Sequence, residues 1–310
     1  MRPYTLSSFV TNLIRTRGII PVQAQRLPRA RKIIQRVGGL SRIRLLLAAA
    51  HASRPKLSRI AEVLLSAMSK DGQVRFRYVI AGRELEGTVR LDHLDSDMQS
   101  VMELAIDDRY RLAQIPEPSI VIDGGGNTGL FTLAAASYWP RAHVVICEPV
   151  PHNVQSIRQL LELNAIHNAR LLPVALAGSQ GEKRFFCREA NQGSFDPDIE
   201  WSDAIRVETV TLTKIVEDAR ASSPNGIVLV KLDIEGAEFD VLREFVQFGS
   251  PRNTIIVLEV HGPLEARESF NDIARSGGFE IEYFEEAHVT AHCQLTSRDL
   301  VRRDSESIKR

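Results

Sequence analysis

Residues 119–136 read SIVIDGGGNTGLFTLAAA, and this stretch decides the fold. An apolar run ends in Asp123, three glycines and Asn127 follow, and a run of good helix formers begins after Gly129. A buried strand, a glycine-rich turn and a helix in this order are typical of the first unit of a nucleotide-binding α/β sheet. The glycines also form the G-x-G-x-x-G pattern of dinucleotide-binding proteins, so an NAD(P)-dependent oxidoreductase is one interpretation.

Strand-like and helix-like segments alternate along the rest of the chain. The strand-like runs are HVVICE, ARLLPVALA, GIVLVKLD, NTIIVLEV, FEIEYF and HVTAHCQL. This alternation predicts a mostly parallel sheet with helices on both faces, which binds its ligand at the carboxyl ends of the strands. The acidic residues at those ends are therefore candidate site residues: Asp123, Glu148, Asp233 and Glu259.

The segments outside this alternation divide the chain further. Residues 71–118 read as a β-hairpin, with its turn at AGRE, and a capped helix. Residues 1–70 read as a basic helical region and residues 301–310 as a polar tail, which leaves 119–300 as the main domain. An insertion over 178–206 contains KRFFCRE and the start of IRVETVTL, which we read as added strands or a hairpin, and we expect it to form a lid or an acceptor wall.

The net charge of zero hides a basic arm. Residues 1–60 hold thirteen Lys or Arg and no Asp or Glu. We expect this arm to pack as a cap or a homodimer contact; peripheral membrane contact is the less favoured alternative, and no nucleic-acid partner is expected. The apolar run LLLAAA is too short to span a bilayer. Three cysteines without a disulfide or metal spacing predict reduced thiols and a cytoplasmic protein.

The carboxylates bear on which nucleotide is bound. Asp123, directly against the glycines, would repel a pyrophosphate and attract an ammonium or a sulfonium group. Glu148 stands where such folds hold the ribose hydroxyls of a nucleoside. Asp233 and Glu235 add negative charge at the next strand end. A cationic nucleoside without phosphates fits these residues better than a dinucleotide does.

Together these motifs resemble the FkbM family of S-adenosylmethionine-dependent methyltransferases. The family has a D-x-G-A-N-x-G loop, an E-P pair and a K-x-D-x-E-G-x-E segment. The matching residues here are Asp123, Gly125, Asn127 and Gly129 (with Gly126 in place of Ala), then Glu148 and Pro149, then Lys231, Asp233, Glu235, Gly236 and Glu238. The resemblance covers about residues 85–295.

The resemblance implies a Rossmann-like class I methyltransferase fold with a seven-stranded, mostly parallel sheet and an antiparallel last strand. It implies S-adenosylmethionine as cofactor and O-methylation of a hydroxyl on a sugar, a glycan or a secondary metabolite. The cofactor-binding residues it predicts are Asp123, Gly125, Asn127, Gly129, Glu148, Asp233 and Glu235. A non-catalytic methyltransferase fold that binds a partner is the alternative from another class.

His261 is the predicted general base, with Asp233 as the second catalytic residue. An imidazole titrates near neutral pH, and His261 follows the strand that ends near Glu259. The oxygen ligands of Asp233, Glu235 and Glu259 would suit Mg²⁺ or Ca²⁺. Because their spacing matches no metal signature, the sequence does not predict a metal.

Overall fold

The computed structural model describes residues 73–90, 97, 100, 101, 103, 104, 108–187, 193–195, 203–261, 266–286 and 290–307. The predicted basic helical region 1–70 therefore lies outside the described residues. None of the helices in the described part is long and apolar enough to cross a membrane.

The described residues include thirteen strands, six α-helices and one 3₁₀-helix whose bounds are given below, and residues 97, 100, 101, 103 and 104 are also helical. The strands are β1 (Gln73–Ile80), β2 (Arg83–Arg90), β3 (Ile120–Gly124), β4 (His143–Cys147), β5 (Ala169–Leu172), β6 (Ala175–Leu176), β7 (Gly181–Cys187), β8 (Gly193–Ser194), β9 (Asp203–Val210), β10 (Val228–Leu232), β11 (Thr254–His261), β12 (Phe279–Glu286) and β13 (Thr290–Ser297). The α-helices are α1 (Leu130–Tyr138), α2 (Pro151–Leu163), α3 (Leu212–Arg220), α4 (Glu238–Phe248), α5 (Ala266–Ser276) and α6 (Arg298–Ser307), and the 3₁₀-helix is Leu112–Gln114.

Seven strands form the central sheet in the order β12-β13-β11-β10-β3-β4-β5. Strands β11, β10, β3, β4 and β5 pair in parallel, whereas β13 is antiparallel to both of its neighbours. This is the mostly parallel sheet with an antiparallel last strand that the resemblance implies, so the predicted fold class is confirmed. The carboxyl ends of β3, β4 and β10 meet at one edge, where the strand order reverses.

Apolar side chains cover both faces of this sheet. In β3, Val121 packs with α1 and α2 on one face, while Ile120 and Ile122 pack with α3, α4 and α5 on the other. All five residues of β3 and of β10 are buried. A strand that is buried on both faces has a continuous run of apolar residues instead of alternating polar and apolar ones. This explains the runs IVI in β3 and VLV in β10.

The β-hairpin ahead of the sheet is confirmed. β1 and β2 pair antiparallel through a two-residue turn at Ala81 and Gly82, both with positive φ. Leu85 is buried in the same core as α1. Arg90 and Asp97 form a buried ion pair at 2.7 Å, which ties the end of the hairpin to the segment that follows it. The hairpin is thus part of the main fold rather than a separate unit.

The predicted third strand ARLLPVALA is wrong as one element. β5 ends at Leu172 and β6 joins a second sheet with the order β6-β9-β7-β8. Pro173 lies at the break, because it has no backbone N–H to continue the ladder. The added strands predicted in the insertion are confirmed as the antiparallel pair β7 and β9. At the other end of the chain, α6 runs across the boundary predicted at residue 300.

Candidate functional site

A cleft lies at the carboxyl ends of β3, β4 and β10. Its walls are the glycine-rich loop after β3, the segment that begins at Glu148, and the segment Asp233–Glu235 after β10. Tyr110 from the leading region and Phe185 from the second sheet complete its lining. Two of the acidic strand ends predicted from the sequence, Glu148 and Asp233, therefore line one cleft.

Asp123 lies beneath this cleft, not on its wall. Its side chain is fully buried and accepts a hydrogen bond from Thr132 Oγ1 at 2.7 Å. The ammonium of Lys231 is 3.6 Å from Asp123 Oδ1. Burial raises the pKa of Asp123, and Lys231 and Thr132 oppose that shift. The structure therefore places Asp123 behind the glycine-rich loop, and its predicted role in binding the cofactor stays a prediction.

Lys231 connects Asp123 to the glycine-rich loop. Its Nζ donates to the carbonyl oxygens of Gly124 at 3.2 Å and Gly125 at 2.7 Å. Burial alone would lower the pKa of Lys231, but Asp233 and Asp123 outweigh burial and raise it. Asp123 stands against the glycines because it balances the buried ammonium that shapes the loop. A charged residue inside the apolar run VLVKLD was the sequence signal for this role.

The glycine-rich loop is shaped by two close approaches. Gly125 has φ +77°, and a Cβ there would lie 2.2 Å from the carbonyl oxygen of Asp233. Gly129 has φ +81°, and its missing Cβ leaves room for Leu160 of α2. Gly125 and Asn127 line the cleft, whereas Gly129 sets the start of α1 and its packing.

Glu148 holds the loop from the side of β4. Its carboxylate accepts hydrogen bonds from the backbone N–H of Asn127 at 2.8 Å and of Val150 at 2.9 Å, and from Asn153 Nδ2 at 3.2 Å. Burial raises the pKa of Glu148, and these three donors lower it again. Glu148 lines the cleft as predicted and also has a structural role that the sequence did not indicate.

The segment after β10 places two carboxylates in the cleft. Asp233 and Glu235 both line it, because β10 ends at Leu232 and the alternation of side chains stops there. Glu235 has φ 54°, and burial, followed by Asp233, raises its pKa to about 7. Beneath this segment, the fully buried carboxylate of Glu238 accepts the backbone N–H of Ile234 at 2.9 Å and of Gly236 at 3.0 Å.

His261 is surrounded by carboxylates. Its Nδ1 is 3.1 Å from Glu238 Oε1, and its Nε2 is 3.7 Å from Glu235 Oε2 and 3.9 Å from Glu259 Oε1. Burial alone would lower the pKa of His261, but Glu238, Asp233 and Glu235 raise it to about 10. An imidazolium cannot accept a proton, so the carboxylates oppose the general-base role predicted for His261.

Glu259 is oriented by a second histidine. His292 is 2 % exposed, and its Nε2 is 2.9 Å from Glu259 Oε2. Burial would raise the pKa of Glu259, but His292 and His261 lower it below its ordinary value. The potential ligand atoms of Asp233, Glu259 and His261 all lie within 4.8 Å of one another. The structure therefore adds His261 to the two acids, Asp233 and Glu259, in one cluster.

Tyr110 was missed from the sequence. It is buried, its hydroxyl donates to Asp233 Oδ2 at 3.3 Å, and its ring meets Phe131 edge to face at 5.6 Å. Burial raises its pKa well above the ordinary value, so the hydroxyl stays protonated as a donor. No pattern around Tyr110 indicates this position, which depends on how the leading region folds over the sheet.

The sheet order and the strand-end cleft define a Rossmann-like methyltransferase fold. The model of the methyltransferase FkbM domain matches residues 123–287, more than half of the chain. The chain belongs to this family and is a methyltransferase.

The chain is also similar to two named methyltransferases and to solved structures. The chain is similar to Methyltransferase sdnD of Sordaria araneosa, at 26 % identity over 58 % of this chain and 80 % of that protein. It is also similar to Methyltransferase 1 of Beauveria bassiana, at 24 % identity over 46 % of this chain and 64 % of that protein. Among solved structures, M. jannaschii TYW2 in complex with AdoMet has 15 % identity and a TM-score of 0.39, covering 73 % of this chain and 85 % of that chain.

Proposed function

We propose that this methyltransferase transfers the methyl group of S-adenosylmethionine to a hydroxyl of a small-molecule or glycan acceptor, such as a sugar or a secondary metabolite. The observation that carries the proposal is an acidic cleft built against a glycine-rich loop. Four carboxylates line this cleft, and they belong to Glu103, Glu148, Asp233 and Glu235. Lys231 is the one cation among the described lining residues.

This charge distribution distinguishes between the two nucleotide classes. S-adenosylmethionine carries an ammonium and a sulfonium and no phosphate, so a negative cleft attracts it. The pyrophosphate of NAD(P) would meet the same carboxylates without a free cation to balance it, because the Lys231 ammonium already donates to two loop carbonyls. The cleft therefore favours S-adenosylmethionine over the oxidoreductase alternative.

The residues that would hold S-adenosylmethionine fit its chemistry. We assign the ribose hydroxyls to Glu148, because its two oxygens have acceptor capacity beyond the three N–H groups that they already bind. Asn127 Oδ1 is buried and has no hydrogen-bond partner among the described residues, so it is an acceptor available to a ligand donor. Asp123 acts indirectly, through Lys231 and the shape of the loop. When bound, S-adenosylmethionine supplies the methyl group and leaves as a neutral thioether.

The acceptor end of the cleft lies where Tyr110, Asp233 and Glu235 converge. A hydroxyl nucleophile must lose its proton, and general-base assistance is typically worth about 10²- to 10⁴-fold. Asp233 and Glu235 are carboxylate acceptors at this end, and His261 Nε2 faces Glu235 from β11. His261 serves as the base only if its own proton is removed first.

The second sheet is the proposed acceptor wall. Phe185 and Phe195 line the cleft and contact each other edge to face at 5.2 Å. Ser194 Oγ donates to the backbone carbonyl of Glu235 at 2.8 Å, which joins this wall to the acidic segment. Aromatic faces bury the apolar surface of sugars and ring systems, so this wall suits such acceptors.

Methyl transfer from labelled S-adenosylmethionine to a panel of sugars, phenols, aliphatic diols and amines tests the proposal. We expect label on hydroxyl acceptors and none on amines. Transfer to amines alone would contradict O-methylation, and binding of S-adenosylhomocysteine without turnover on any acceptor would favour the non-catalytic alternative.

A pair of phenylalanine variants tests the acceptor wall. Phe195→Ala should reduce kcat/KM for the acceptor and leave the affinity for S-adenosylhomocysteine unchanged. Phe186→Ala is the matched control. Phe186 lies in β7 opposite Ser194, the residue before Phe195, but it does not line the cleft. Equal effects of the two substitutions would contradict the wall.

A further inference from the structure

The ends of β10 and β11 bring three metal-ligating side chains together. The two strands are parallel neighbours, so Asp233 after β10 and Glu259 and His261 in β11 lie at the same edge of the sheet. One potential ligand atom from each residue lies within 4.8 Å of the other two. All three side chains are partly exposed, which leaves a path for an ion.

His261 is held in the orientation that a metal ligand requires. Its Nδ1 faces the buried carboxylate of Glu238 at 3.1 Å, while its Nε2 faces the side of Glu259. Histidines that bind metals usually donate their second N–H to a carboxylate, which fixes the tautomer and directs the other nitrogen to the ion. The ion would replace the proton on His261 Nε2, so its binding would release one proton to solvent. Glu238 belongs to α4 and is itself fixed by backbone N–H groups.

The two acidic ligands are oriented in the same way. Glu259 Oε2 is occupied by His292 at 2.9 Å, while Glu259 Oε1 faces His261. Asp233 Oδ2 accepts the hydroxyl of Tyr110 at 3.3 Å. Each of the three side chains thus has a partner from another element that sets its direction, which a random group of surface acids would lack.

We propose that Asp233, Glu259 and His261 bind one divalent metal ion. One imidazole and two carboxylates form a mixed N,O ligand set. Such a set suits Mn²⁺ or Fe²⁺ better than Mg²⁺ or Ca²⁺, which prefer ligand sets made only of oxygen. Two ligand atoms about 2.1 Å from one ion lie at most about 4.2 Å apart. His261 Nε2 and Glu259 Oε1 are 3.9 Å apart and already meet this limit. Three protein ligands leave coordination positions open to water and to an acceptor oxygen.

The role of the ion rests on the proposed O-methyl transfer, although its binding does not. Coordination of the acceptor hydroxyl would withdraw electron density from its oxygen and lower its pKa. The released proton then passes to Glu235, whose carboxylate lies beside His261. In this arrangement His261 is a metal ligand, and the hydroxyl is activated without an imidazole base.

Titration of the metal-stripped full chain with Mn²⁺, followed by electron paramagnetic resonance of the free ion, tests the site without cofactor or acceptor. We expect one saturable Mn²⁺ per chain. Asp233→Asn, Glu259→Gln and His261→Asn should each weaken binding at least about 10- to 100-fold, the loss known for partners that only orient a ligand. Asp240→Asn is the matched control, because it removes one exposed acid from the adjacent helix.

His261→Asn separates a coordinated ion from general attraction to acidic groups. It should weaken Mn²⁺ binding more than Ca²⁺ binding, because only the former gains from an imidazole ligand. Unfolding curves recorded without metal identify which variants remain folded, and any folded one of the three suffices. The proposal is overturned if the wild type shows no saturable Mn²⁺ binding at millimolar metal, or if the control weakens binding as much as the ligand variants. Because no methyl transfer is measured, a failure of the proposed function would not produce either result.

Discussion

Gly125→Ala is the substitution whose effect is most directly calculable. The added Cβ would lie 2.2 Å from the carbonyl oxygen of Asp233, a backbone atom that no rotamer change can move. Gly125 also has φ +77°, where an L-residue costs about 1–2 kcal/mol. Forcing extra volume into a packed position costs about 1–3 kcal/mol more. The two effects together predict a loss of about 2–5 kcal/mol in the free energy of unfolding.

Gly82→Ala is the matched control for this prediction. Gly82 has nearly the same φ, +79°, but no atom lies within 4 Å of its missing Cβ. Gly82→Ala should therefore lower the free energy of unfolding only by the cost of the positive φ, about 1–2 kcal/mol. Urea unfolding followed by circular dichroism gives both values, and titration with S-adenosylhomocysteine should show weakened affinity in Gly125→Ala alone. Equal losses in the two variants, with cofactor affinity retained, would refute the close approach between the glycine-rich loop and Asp233.

Three further predictions test the supports of the cleft. Glu148→Gln should weaken S-adenosylhomocysteine binding about 10- to 150-fold in calorimetry and also lower the thermal midpoint, because the amide cannot accept all three N–H groups; an unchanged midpoint would contradict the structural role. Lys231→Met should cost about 3–5 kcal/mol in urea unfolding by leaving Asp123 buried and unpaired, and adding Asp123→Asn should restore part of that loss; no recovery would contradict the pair. In native protein, a thiol reagent should modify Cys187 first, because burial raises the pKa of the other two thiols, Cys147 and Cys293, to about 12; rapid modification of all three would contradict this burial.

The sheet and the strand-end acids were predictable because their signals are local. Apolar runs of four to eight residues, each followed by helical spacing, encode the alternating strands and helices. The rule that ligands bind at carboxyl ends then identifies Glu148 and Asp233 without any knowledge of contacts. Pro173 was a local signal for the break in the third predicted strand. The prediction missed this signal because the residues of ARLLPVALA on both sides of Pro173 are apolar.

The roles of the site residues depend on contacts between distant positions. The sequence predicts Asp123 as a ligand for a cationic cofactor, but its ion pair with Lys231 becomes visible only when β10 is placed beside β3. His261 reads as a base until α4 places Glu238 against its Nδ1. The charges around a residue are set by tertiary packing. The sequence pattern therefore identifies which residues cluster, but it does not identify which of them are protonated.

The central claim is that the acidic cleft binds S-adenosylmethionine, and a calorimetric titration of the full chain tests it most directly. S-adenosylhomocysteine and NADH are titrated separately into the same preparation, and a thermal melt checks that the protein is folded. Saturable binding of S-adenosylhomocysteine, weakened in Glu148→Gln, with no binding of NADH, is the predicted result. Binding of NADH without binding of S-adenosylhomocysteine would contradict the claim.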